Sequence, residues 1–189
     1  MNDFNRITAL ISHRIFSISH SFLLCRKPCN IMYSENDYCR FEIIKDVKQL
    51  EDCGAFEDPN VYIPIYRNMI TNGGVVVFGY RKEDDKCFFR ACVLLRGAIK
   101  CDGCFVKELD ENEGYIHYVY CDSLHRGHGA HNSAMQFICS KLKDYTLYAI
   151  VETNNMPSLK GFYRNGFASK EKLARYNIGG IRIMVRKEA

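Results

Sequence analysis

Residues 124–133 read LHRGHGAHNS, which puts three histidines, an arginine and three small residues (Gly127, Gly129, Ala130) within ten positions. Two chemistries compete for such a stretch. Imidazoles bind divalent metals, but a metal site wants about four ligands on a rigid face. His125, His128 and His131 recur every third residue, and the first precedes the helical pattern that starts near Gly129. The other chemistry is anion binding. The first amides of a helix have no internal partner and sit at the positive end of its dipole. Glycines let a phosphate approach that backbone, and Arg126 adds a full charge, so a pyrophosphate-bearing ligand fits. The stretch is not the dinucleotide fingerprint, whose third glycine is missing, nor a Walker loop, which needs lysine followed by serine or threonine.

Further residues of reactive type flank it. Glu113 and His117 share one face of an extended chain with Tyr115 between them. Either suits a general base, acting directly or through a water; a solvated loop acid and a hydrogen-bonded core histidine are the plain alternatives. Beyond the next strand, ETNNMPSLKGFYRNGF spans residues 152–167. Asn155 suits a helix N-cap, Pro157 the first turn and Gly166 the end. Tyr163 lies on that helix, as a proton donor or as a packed aromatic.

The elements that must position these residues follow from hydrophobic period. Residues 40–47 alternate as a strand. Residues 48–72 read as two helices broken at Asp58-Pro59-Asn60 and closed by Asn72-Gly73-Gly74. Residues 74–80 and 87–99 read as two strands of a hairpin around the charged turn 81–86. Residues 101–113 form a loop or short strand, and YIHYVYC (115–121) is a strand of strong β-propensity. From residue 129 to 145, Ala130, Ala134, Phe137, Ile138 and Leu142 keep helical spacing. Residues 146–152 form a strand, and two more, at 167–176 and 181–186, close the chain around Gly179-Gly180. The order implies one α+β domain with a single mixed, mostly antiparallel sheet flanked by helices.

Composition narrows the function classes. The 189 residues suffice for one core, and no apolar run approaches the length of a membrane span. A net charge of +4, spread without a basic block, suits an anionic ligand and argues against nucleic acid. The ten cysteines are scattered, several inside apolar runs (Cys92, Cys121, Cys139), as free thiols are in a reducing compartment. Cys101 and Cys104 flank a turn at Gly103, with no second close pair, so no metal is expected. The expected location is cytoplasmic, with a mitochondrial alternative. That alternative rests on residues 1–31, which carry Arg6, Arg14, Arg26 and Lys27 but one acid, Asp3. An extra helix packed on the domain, or a true start at Met32 with the leader a gene-model artefact, ranks ahead of targeting. The domain is expected at residues 32–189.

Arg126-Gly127-His128-Gly129-Ala130, then Asn155, then FYRNGF with Tyr163, Gly166 and Phe167 resemble the GNAT acyltransferase superfamily. There, a loop close to R-G-x-G-x-G follows a strand, and a later helix begins near an Asn and ends with Tyr before G-F. The resemblance is close over residues 113–167 and loose over 40–99. His131 stands where the loop usually has a third glycine or alanine, and the leader has no counterpart. The histone acetyltransferase branch also shows R-G-x-G-A-H, an echo too short to fix a substrate.

The resemblance implies that acetyl-CoA, as acyl donor, lies where the strand before the loop splays from the strand after the helix. Backbone amides of Arg126, Gly127, His128, Gly129 and Ala130 would hold its pyrophosphate. Val119, Tyr120 and Cys121 would pair with the pantetheine arm and offer an N–H to the thioester carbonyl. Asn155 would contact the donor or fix its helix. Tyr163 would protonate the leaving thiolate, with Glu113 or His117 as base. The implied reaction is direct attack by a primary amine in a ternary complex; a non-catalytic acyl-CoA-binding module is the alternative. The acceptor is a small molecule or a peptide, and a homodimer is among the oligomeric states left open.

Overall fold

The computed structural model describes residues 16–52 and 59–189. In chain order the elements are β1 (Phe16–Arg26), β2 (Cys39–Ile44), α1 (Val47–Asp52), α2 (Pro59–Thr71), β3 (Val75–Arg81), β4 (Cys87–Leu94), β5 (Gly97–Cys101), β6 (Cys104–Leu109), β7 (Glu113–Cys121), α3 (Ala130–Lys141), β8 (Thr146–Glu152), α4 (Met156–Arg164), β9 (Ala168–Ile178) and β10 (Ile181–Glu188). Eight strands make one sheet in the order β10-β9-β1-β8-β7-β4-β3-β2, with β5 and β6 in a separate hairpin. Only β7 and β8 run parallel among the paired strands. A parallel pair needs a crossover, and α3 supplies it. This is the mixed, mostly antiparallel sheet that the sequence implies.

Each face of the sheet is buried by a different set of elements. On one, Ala134 and Ile138 of α3 and Leu159 and Phe162 of α4 pack on Val77, Ala91, Ile116 and Ala149. On the other, Tyr66, Met69 and Ile70 of α2 pack on Val76, Phe78 and Cys92. Further along that second face, Ile99, Val106 and Leu109 of the β5–β6 hairpin cover Tyr115, Tyr148 and Leu173.

Two expectations need correction. Residues 1–15 lie outside the described residues, but Phe16–Arg26 forms a strand, not an extra helix. β1 pairs antiparallel with both β8 and β9, and Leu23 and Leu24 are fully buried. A boundary at residue 31 therefore cuts through the sheet instead of setting an extension apart from 32–189. The physical signal is the alternation FSISHSF, which has the period of a strand. Second, 87–99 is not one strand. β4 stops at Leu94 and β5 starts at Gly97, whose φ of 92° is open only to glycine at little cost. Residues 101–104 are the tight turn of the new hairpin, with Asp102 and Gly103 both left-handed.

Candidate active site

The site begins where two strands part. The parallel β7–β8 ladder runs from Glu113↔Thr146 to Ile116↔Ala149 and ends there. Tyr118, with φ of 50°, marks a bulge at which the β4–β7 register shifts. A bulge bends its strand and sharpens the twist, so β7 turns away while β8 continues on β1 as far as Glu152. A wedge opens between them. Among the described residues, the β7 edge that faces β8 carries no ladder partner from His117 to Cys121.

At the wide end of the wedge lies the glycine loop. A short 3-10 turn, Ser123–His125, leads into it, capped by the Asp122 carboxylate accepting from the Leu124 amide at 2.9 Å. Gly127 and Gly129 take φ of 90° and 72°. Gly129 is the N-cap of α3 and offers no side chain, and the first turn holds no acid. The opening amides of α3 are therefore left for an outside acceptor. A Cβ on Gly127 would meet nothing within 4 Å. A cavity of about 620 Å³ lies here, lined by Val119, Cys121, Arg126, Gly127, Asn155 and Ser158 among others.

The three histidines do not converge. Nδ1 of buried His125 hydrogen-bonds the Tyr38 hydroxyl at 2.6 Å. His128 stacks flat on the Tyr38 ring, centroids 4.2 Å apart and planes 7° apart. His131 turns inward between Phe89 and Phe162, and burial lowers its pKa. Gly161 leaves room for that ring, since a Cβ there would collide with it. Among the described residues no group of three His, Cys, Asp or Glu is placed to hold a metal ion. Asn36 completes the brace: it donates to Ser133 Oγ at 2.8 Å and accepts from the Tyr38 and Cys39 amides. Sequence reasoning missed Asn36 and Tyr38, whose links to the loop span 97 and 87 residues.

The other candidates separate into those at the wedge and those away from it. His117 sits where the wedge starts, its ring stacked on Tyr115 at 5.0 Å. Its Nε2 is buried with no hydrogen-bond partner among the described residues, and burial pulls its pKa down to about 4, so the imidazole is neutral near pH 7. Glu113 lies at the closed end, about 13 Å along the strand from His117. Its carboxylate accepts from Tyr148 Oη at 2.7 Å, from Lys107 Nζ and from the Asp110 amide at 2.9 Å. Burial alone raises its pKa, but these hydrogen bonds outweigh it and the net shift is downward.

Val119 and Cys121 line the cavity, whereas Tyr120 stacks under the Arg90 guanidinium, 4.4 Å from its ring centre. Asn155 both lines the cavity and caps α4, accepting from the Ser158 amide at 3.2 Å. Tyr163 stands apart. The cavity meets α4 through Pro157, Ser158, Lys160, Gly161 and Arg164 but not Tyr163, whose hydroxyl bonds Ser169 Oγ at 2.9 Å.

This arrangement has relatives. The profile of the acetyltransferase (GNAT) family matches residues 44–167. Among solved structures, a GNAT-family acetyltransferase from Colwellia psychrerythraea superposes with a TM-score of 0.57 at 15% identity, covering 90% of this chain and 60% of that one. A putative GNAT acetyltransferase from Novosphingobium aromaticivorans gives 0.54 at 10%, covering 92% and 66%. A tandem GNAT protein from the clavulanic acid biosynthesis pathway gives 0.55 at 9%, covering 100% and 59%. The chain thus spans about 60% of the length of the first structures it matches. No curated protein matches it significantly. With the profile covering four of the sheet's eight strands (β3, β4, β7 and β8), the wedge, the glycine loop and α4, the chain belongs to the acetyltransferase (GNAT) family.

Proposed function

We propose that this chain transfers an acetyl group from acetyl-CoA to a primary amine, by direct attack in a ternary complex. The observation that carries the reading is the wedge between β7 and β8, with an uncapped helix N-terminus at its mouth. Two left-handed glycines, open space over Gly127 and an exposed Arg126 suit a pyrophosphate. The free edge of β7 near Val119, Tyr120 and Cys121 suits the amide-bearing pantetheine arm. Acetyl-CoA supplies the carbonyl electrophile and a thiolate leaving group.

The chain's own residues then have three tasks. An alkyl amine of pKa ~10.4 is neutral in about one molecule per thousand or fewer at pH 7, which costs about 4–5 kcal/mol. His117, neutral and at the start of the wedge, accepts the proton directly or through a water. Glu113 is the other candidate, and it must first give up some of its three donors. Amides of the free β7 edge donate to the carbonyl oxygen as negative charge develops. Tyr163 protonates the departing thiolate once its hydroxyl leaves Ser169.

A non-catalytic acyl-CoA-binding module is the second reading, favoured by the engaged state of Glu113 and Tyr163. The full chain titrated with acetyl-CoA should melt several degrees higher when ligand reaches about 100 times its dissociation constant. Thiol release against a panel of amines and peptides then separates the readings. Binding with no amine-dependent release supports the module, and no binding at millimolar donor removes both.

A further inference from the structure

The three strands at one end of the sheet, β10, β9 and β1, have unlike faces. One is covered by the β5–β6 hairpin: Leu173 and Met184 pack into it, and Arg182 donates to the Asp102 carbonyl at 2.8 Å. On the other face Leu24 and Phe22 of β1 join the core cluster that contains residues of α3 and α4, and no earlier residue of β1 does. Beyond it Phe16, Ile18, Ile178, Ile181, Ile183 and Val185 are all exposed, from 47% at Ile18 to 67% at Ile181. Pairing makes them neighbours. Phe16, Ile178 and Ile181 form one rung, and Ile18, Tyr176 and Ile183 form the next but one. Val185 follows on the same face, opposite Ala174. Residues directly paired across strands share a face.

We propose that this face is the contact surface between two copies of the chain, packed sheet against sheet about a two-fold axis. Area is the first argument. The six side chains expose roughly 550 Å² together, the upper end of what a monomer carries as one apolar patch. Two copies would bury about 1,100 Å² from these residues alone, above the ~1,000 Å² that a specific interface needs. Shape is the second, because a two-fold contact requires the same patch on both partners and a flat apolar sheet face meets itself well. Charge placement is the third. The lysines of this face, Lys172 and Lys187, share a rung at one end, and the uncharged Gly179-Gly180 turn is at the other. An antiparallel arrangement sets each lysine pair over the other copy's turn and keeps like charges apart.

Sedimentation of the full chain from about 1 to about 100 μM tests this. The expected result is a species of twice 21.9 kDa. Ile183→Lys should return it to the single mass and weaken association about a hundredfold, since each substitution acts twice across a two-fold axis. Val185→Lys repeats the test one rung away. Both side chains are about half exposed in the single chain, so circular dichroism should not change, and melting should fall only by the concentration-dependent stabilisation that association adds. Phe105→Lys, on β6 and 58% exposed, should leave the dimer intact. Wild-type protein that stays at 21.9 kDa at the highest concentration overturns the proposal, as does a dimer that survives Ile183→Lys and Val185→Lys together.

Discussion

His117 carries a buried Nε2 that no group among the described residues satisfies. Burial lowers its pKa to about 4, against about 6.5 for an unfolded histidine. Below pH 6.5 the unfolded chain takes up a proton that the folded chain refuses. Its stabilising contribution is thus present above pH 6.5 and lost as pH falls toward 4, by about 2 kcal/mol between pH 7 and pH 5. Buried His131 acts in the same direction. Urea unfolding at the two pH values should show the loss, and His117→Gln should remove the larger share. An equal loss in the variant would place its origin elsewhere. Gly127 makes the second residue-scale prediction. Its φ of 90° admits alanine only with about 1–2 kcal/mol of strain. Gly127→Ala should raise the acetyl-CoA dissociation constant at least tenfold while kcat at saturation changes little. A fall in kcat with unchanged affinity would mean that the loop does not hold the donor. Gly127, Gly129 and Asn155 were legible from sequence because turn and cap chemistry is local. Which way Tyr163 points around its helix was not, because packing against β9 decides it.

At the scale of elements, the wedge and the loop depend on segments that the motif does not contain. The bulge at Tyr118 opens β7 from β8, and its neighbours YIHYVYC read as an unbroken strand with no glycine to announce it. The loop rests on the segment before β2, where Tyr38 holds His125 by a hydrogen bond and His128 by stacking. Tyr38→Phe keeps the ring and deletes the hydroxyl, which costs about 1 kcal/mol of net hydrogen-bond energy. If that bond sets the loop, KM for acetyl-CoA should rise several-fold and kcat should hold, because no reacting atom is touched. An unchanged KM would reduce Tyr38 to a packing residue. The α-helices were legible to within a few residues, since their period is long and their ends carry Pro59, Pro157, Gly73 and Gly166. The β4–β5 break was not, because apolar residues continue through Leu94 and Leu95, and only Arg96-Gly97 separates them from Ala98 and Ile99.

At the scale of the whole molecule, the first described strand lies deep in the sheet order. β1 sits between β8 and β9, so strands that follow each other late in the sequence are joined through one that comes early. A leader-like composition of serine, isoleucine and arginine hid this, although Phe16, Ile18, Phe22 and the intervening serines alternate as a strand does. Strand pairing across 121 residues or more leaves no local trace. A chain beginning at Met32 loses that strand. It exposes the inner edges of β8 and β9, and it removes the fully buried Leu23 and Leu24 from the core. Two lost core leucines alone cost about 4–10 kcal/mol, comparable to the total stability of an ordinary domain. The shortened chain should therefore be insoluble or lack a cooperative melt, and adding acetyl-CoA should not rescue it. The full chain should melt sharply under the same conditions. If the shortened chain instead folds and melts within a few degrees of the full one, β9 must close directly onto β8, and the sheet would tolerate β1 as an insertion.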